Sequence, residues 1–157
     1  MRSLLRVAAC AACLLFLNGC LAAVATYAWL YTDEVRVQTV ALNVAERANE
    51  NSPVAVDMVF LSKRLPLLDE VQKMTAADWF AKRAQLVRDF RDDIEVVSWE
   101  VVPGQILPAE SVPTVRVRSA AFVFAGYRAP GAHRYRVGSE RTLLLSLGAN
   151  ELTVTPK

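Results

Sequence analysis

None of the three cysteines lies beyond residue 20, and the chain has a single histidine, His133. With Cys10, Cys13 and Cys20 all near the N-terminus, whatever folds after them holds no disulfide and no thiolate metal site. An exported domain of that kind must be stable by core packing alone. An excess of one charge is missing too. Of the 18 basic residues only Arg2 and Arg6 precede Cys20, and the remaining 16 face 16 acidic ones. A neutral domain with interspersed signs lacks the footprint of a nucleic-acid binder. It also has no net field to steer an acidic partner from a distance.

Catalytic patterns are absent as well: there is no GxSxG, no HExxH and no glycine-rich phosphate loop. A catalytic histidine needs a nucleophile or an orienting carboxylate beside it. No motif supplies one for His133, which follows Pro130-Gly131 and reads as a surface or strand-end residue. Asp92-Asp93, close after Asp89, lacks the spacing of a calcium loop and reads as a solvated helix end. Arg134 and Arg136 alternate with Tyr135 and Val137, an ordinary strand with a solvated face, with an inward pairing of one of the two arginines left open. Trp79, Phe80 and Trp99 read as core rather than as ligand platforms. No enzyme activity, cofactor or metal is expected.

What is present begins with an export signal. Met1 to Arg6 is a short basic stretch, and Val7 to Leu17 is an unbroken apolar run of signal-peptide length. Leu17-Asn18-Gly19-Cys20 then reads as a lipobox: an aliphatic residue, a small residue before the cysteine, and the cysteine that takes the lipid. Cys10 and Cys13 have too little apolar chain before them. Residues 1–19 are thus expected to be a signal peptide, with Cys20 the lipidated residue and 20–34 a membrane-proximal segment. Leu21, rather than Asp, follows Cys20, which by resemblance to lipoprotein sorting favours the outer membrane. A second reading stays open. Leu21 to Tyr31 remains apolar, so Val7 to Tyr31 is long enough to span a bilayer as an uncleaved inner-membrane helix. Trp29 and Tyr31 would then lie at the interface.

From Val35 to Lys157 the dominant period is two. Strands are expected over Val35 to Val44, Val54 to Phe60, Ile94 to Val102, Thr114 to Arg118, Ala120 to Arg128, His133 to Val137, Arg141 to Leu147 and Glu151 to Thr155. Ser62 to Lys73, interrupted by Pro66, reads as a buried loop or a short turn of helix. One helix is expected over Thr75 to Phe90, with Thr75 as N-cap and Asp78 at its third position. Its apolar side gathers Trp79, Phe80, Ala84, Leu86, Val87 and Phe90. Short strands with turns between them make this a two-sheet β-sandwich of about seven to eight strands. Glu46 to Pro53 is a loop dense in turn formers. Glu46, Arg47, Asn49, Glu50, Asn51 and Ser52 are too polar for core. They offer both signs of charge and two amides, suited to a hydrogen-bonded contact. Replacing the loop by a tight Asn-Gly turn is expected to leave the fold intact.

The order of several short motifs is similar to that of a known family. Ser52-Pro53-Val54-Ala55-Val56 opens a strand, and Ala77-Asp78-Trp79-Phe80 opens the helix. Val102-Pro103-Gly104-Gln105 ends a strand, followed by Phe124-Ala125-Gly126-Tyr127-Arg128 and His133-Arg134. With the lipobox, the chain resembles the TssJ (VasD, SciN) lipoproteins of type VI secretion systems over nearly all of 35–157. His133 stands where that family's pattern has tryptophan. The resemblance implies a transthyretin-like sandwich with an added helix, carried by an outer-membrane lipoprotein. It implies a non-enzymatic role, fixing a trans-envelope complex by binding the periplasmic region of a TssM-like inner-membrane protein. It also implies that the first inter-strand loop, here Glu46 to Pro53, is part of that contact. A pilotin or a hydrolase inhibitor on a similar sandwich is the second reading, and a periplasmic enzyme lacks its constellation.

Overall fold

A computed structural model describes residues 35–112 and 119–156. Eight strands form two four-stranded sheets among these residues. The strands are β1 (Thr39–Val44), β2 (Val54–Leu61), β3 (Ile94–Val101), β4 (Ile106–Ser111), β5 (Ala120–Ala125), β6 (Arg134–Val137), β7 (Thr142–Leu147) and β8 (Leu152–Pro156). Two helices, α1 (Leu65–Val71) and α2 (Ala76–Asp89), lie between β2 and β3. One sheet has the order β4-β1-β7-β8, the other β3-β2-β5-β6. The second is antiparallel throughout, whereas β1 and β7 run parallel at the centre of the first. The protein is a mostly β, two-sheet sandwich with one main helix, as the alternation in the sequence predicts.

The core lies where the inner faces meet. Val40, Leu42 and Val44 of β1 and Leu143, Leu145 and Leu147 of β7 face Val54, Val56, Met58 and Phe60 of β2. Ala121, Val123 and Ala125 of β5 complete it. The outer face of the second sheet is covered too. Val59, Leu61, Phe122 and Phe124 are buried there beneath Leu67, Leu68, Val71 and Trp79 of the helical layer. Burial on both faces explains why Val54–Leu61 and Ala120–Ala125 are apolar almost without a break.

The helices follow from local signals. Thr75 caps α2: its Oγ1 accepts from the Asp78 N–H at 3.1 Å, and the Thr75 N–H donates to Asp78 Oδ2 at 3.0 Å. The Thr75 hydroxyl also donates to Asp78 Oδ2 at 2.7 Å; that bond first, and the one from the Thr75 N–H second, hold the Asp78 carboxyl below the usual carboxylate range. Within Ser62 to Lys73 the short helix is the reading that holds, over Leu65–Val71, and Pro66 does not break it because it sits in the first turn. Ser62 Oγ and Arg64 Nη1 both donate to Asp93, at 2.6 and 2.8 Å, tying the entry of α1 to the start of β3.

Some expectations need correction or fall outside view. β4 was not expected, because Pro108 and a solvent-facing pattern hide it. Ala84 is exposed, not part of the packed face of α2, whose buried residues are Ala76, Trp79 and Leu86. The strand expected over Thr114 to Arg118, and the whole leader with Cys20, lie outside the described residues.

Candidate partner-binding surface

The loop after β1 does not close a hairpin. β1 and β2 belong to different sheets, so Glu46 to Pro53 carries the chain across the end of the sandwich. A two-residue Asn-Gly turn joins adjacent antiparallel strands and cannot span this connection, contrary to expectation. The loop makes a tight left-handed turn over Ala48–Asn51. Asn49, Glu50 and Asn51 have φ of 50, 55 and 60°. This left-handed region is tolerable for Asn and uncommon for Glu.

Hydrogen bonds hold that backbone. Asn49, expected as a contact residue, is only 4% exposed and points inward. Its N–H donates to the Ala149 carbonyl at 2.8 Å, and its Nδ2 donates to the Pro53 carbonyl at 2.8 Å. Its Oδ1 accepts from the Arg128 N–H at 2.7 Å. One side chain and its backbone thus join the β1–β2 loop to the β5–β6 loop and the β7–β8 turn. Its polarity is spent on the fold, which corrects the reading of the whole loop as solvated. Glu46, Arg47, Glu50 and Asn51 do face solvent, and Ser52 is half-buried.

The neighbouring turns are fastened to the same place. Gly104 takes φ 77° in the β3–β4 turn, a conformation that favours glycine, and its N–H donates to the Ala45 carbonyl at 3.2 Å. The Val44 N–H donates to the Gln105 carbonyl at 2.9 Å. Val102 and Ile106, flanking this turn, are 51 and 73% exposed. Ile106 pairs with Asn43 on the outward side of β1, so its side chain turns away from the core. In the β7–β8 turn the Tyr127 hydroxyl lies 2.8 Å from the Glu151 carbonyl and 3.1 Å from that of Gly148. Burial first, and the Glu151 charge second, push Tyr127 up to about 12, so the phenol stays a donor.

His133 belongs to this end as a structural residue. Its ring lies 4.8 Å from that of Tyr127, and Nε2 is 2.8 Å from the Ala129 carbonyl. Asp92 and Asp93 do not gather with other ligands, and no group of three or more His, Cys, Asp or Glu fit for a metal occurs among the described residues. One polar centre was missed altogether. Asp57, 1% exposed in β2, accepts from Trp79 Nε1 at 2.8 Å, Ser98 Oγ at 2.7 Å and Arg83 Nη1 at 2.9 Å. A lone Asp in the apolar strand VAVDMVFL was the available signal.

The class these features define is a β-sandwich with a helical layer on one sheet and a fused cluster of loops at one end. No family model and no curated protein matches the sequence. Solved structures do share the fold. The type VI secretion lipoprotein TssJ1 from Pseudomonas aeruginosa superposes with a TM-score of 0.57 at 20% identity, over 79% of this chain and 97% of that one. Serratia marcescens Lip, a membrane-bound component of the type VI secretion system, gives 0.56 at 12% identity, over 74 and 95%. A chain of a type VI membrane complex gives 0.58 at 17% identity, over 78 and 100%. At these identities the likeness is one of fold: the chain has the architecture of the TssJ lipoproteins.

Proposed function

We propose that the chain is a non-enzymatic subunit of a type VI secretion membrane complex. In this reading Cys20 carries the lipid that holds it to the periplasmic face of the outer membrane. The loop end of the sandwich binds the periplasmic region of a TssM-like inner-membrane protein. The observation that carries the reading is the superposition with TssJ folds, which spans 97% of the TssJ1 chain and nearly the whole described domain. The contact surface differs from a simple polar loop. Glu46, Arg47, Glu50 and Asn51 form its polar part, and Val102 with Ile106 its apolar part. Exposed apolar side chains beside a polar rim are the usual makings of an interface, and few of them carry most of the affinity.

Co-purification of the full-length chain, in detergent, with the periplasmic region of a TssM-like partner tests this. Val102→Asp together with Ile106→Asp should weaken retention by at least about tenfold, while exposed positions leave the melting temperature almost unmoved. Arg47→Ala with Glu50→Ala should weaken it less, as rim charges do. A wild-type chain that fails to retain the partner sinks the functional reading. A double Asp variant that binds at full strength moves the contact elsewhere on the domain.

A further inference from the structure

The helical layer does not cover the second sheet out to its edge. Where α1 ends, an open cavity of about 620 Å³ remains between the helix and β6, lined by Gln72, Lys73, Phe122, Arg134 and Arg136. That volume falls in the range of small-molecule sites. Arg134 and Arg136 are two residues apart on β6 and therefore share its outward face. They pair with Phe124 and Phe122 of β5, so the Phe122 ring closes the bottom of the cavity beside two guanidinium groups. Lys73 enters from the end of α1. The lining thus has three cations, one amide and no carboxylate.

We infer that this cavity is a binding site for a phosphate monoester or diester. Residues 20–157 carry as many acidic as basic residues, so composition does not place three cations together and their convergence is local. Arg134 is fixed rather than floating: its Nη1 donates to the Met74 carbonyl at 3.2 Å, which uses one of its five N–H donors and holds the guanidinium beside the helix end. Lys73 Nζ is also paired, at 2.7 Å with Asp69, but both partners are exposed and such a pair contributes little. An incoming phosphate competes with it on favourable terms, because Arg and Lys together match its several oxygens with charge-assisted bonds. Phe122 at the base suits the carbon portion attached to the phosphate. A phospholipid headgroup and a soluble phosphate ester share this chemistry. The site does not depend on the partner proposed above.

Titration calorimetry on the full-length chain in nonionic detergent tests the site with three probes: inorganic phosphate, glycerol 3-phosphate, and micelles doped with phosphatidylglycerol. Saturable binding of at least one is expected. Tightest binding to the doped micelles assigns the site to a headgroup; equal or tighter binding of the small esters assigns it to a soluble ligand. Either result supports the inference when Arg136→Gln and Lys73→Gln each weaken binding by about tenfold at an unchanged melting temperature. Arg134→Gln serves as a third variant, read only if its melting temperature holds. No saturable binding up to about 10 mM overturns the proposal. So does binding that Arg136→Gln and Lys73→Gln leave intact, or a glutamate-rich peptide binding more tightly than every phosphate probe.

Discussion

Asn49 shows how one residue can look like surface and act as a fastener. Its amide satisfies the Pro53 carbonyl and the Arg128 N–H, and its backbone N–H satisfies Ala149. Removing a buried amide leaves its partners unpaired, which costs about 1–3 kcal/mol. Alanine also tolerates φ near 50° less well than asparagine does. Asn49→Ala should therefore lower the melting temperature of the chain by several degrees. Asn49→Asp keeps the acceptor for Arg128 but sets a buried carboxylate oxygen against the Pro53 carbonyl, so it should lower the melting temperature at least as far. Thermal unfolding followed by circular dichroism decides this. An Asn49→Ala protein that melts with the wild type would mean that the three loops are held by something else. The composition of Glu46 to Pro53 could not reveal this role. Burial of Asn49 arises where three connections meet, and those are brought together only by the sheets.

At the scale of elements, α2 is held to the sheet by packing and by a polar pin. Trp79 stacks on Phe124 with ring centroids 5.3 Å apart and planes 11° from parallel, and its Nε1 donates to Asp57. Phe80 closes over Gly126, where a Cβ would lie 3.2 Å from the ring. Trp79→Ala should destabilise the domain by about 3–5 kcal/mol. Trp79→Phe keeps most of the ring and removes one donor from a buried carboxylate, so about 1–3 kcal/mol is expected. Denaturant melts of the two variants separate packing from hydrogen bonding. If neither differs from the wild type, the helix is not docked through Trp79. This helix was legible because its start is local: Thr75 and Asp78 are three residues apart and need nothing else. Ala84 was misplaced because helical spacing aligns it with Phe80 and Val87, whereas the space beside it is an open cavity against Val96 and Ser98. β4 was illegible for the opposite reason. Its pairing with β1 shifts register between Val40↔Glu110 and Leu42↔Leu107, and Pro108 sits in that irregular stretch. A proline, which has no N–H to give, is tolerated at such a bulge. The strand owes its existence to β1, not to its own pattern.

For the whole molecule, the question is how the sandwich is held and where load would pass. Val35 and Val37, at the start of the described residues, are already buried, and the Gln38 N–H donates to the Arg141 carbonyl at 2.8 Å. The chain therefore enters at one end of β1 and leaves it at the loop cluster proposed to hold the partner. β1 lies inside its sheet, flanked by β4 and β7 along its length. Tension between an N-terminal attachment and a partner on the loops would run along a strand bonded on both sides. Residues 21–34 could span at most about 50 Å if fully extended. The attachment itself separates two chemistries. A lipid on Cys20 anchors stably only with two or more chains, each buried methylene contributing about 0.8 kcal/mol. An uncleaved helix over Val7 to Tyr31 needs no lipid. Cells fed a labelled palmitate analogue should incorporate it into the wild-type chain, and Cys20→Ser should carry no label and keep its leader. A Cys20→Ser protein that takes up as much label as the wild type places the lipid elsewhere. A wild type that is unlabelled and still holds residues 1–19 is anchored by the helix.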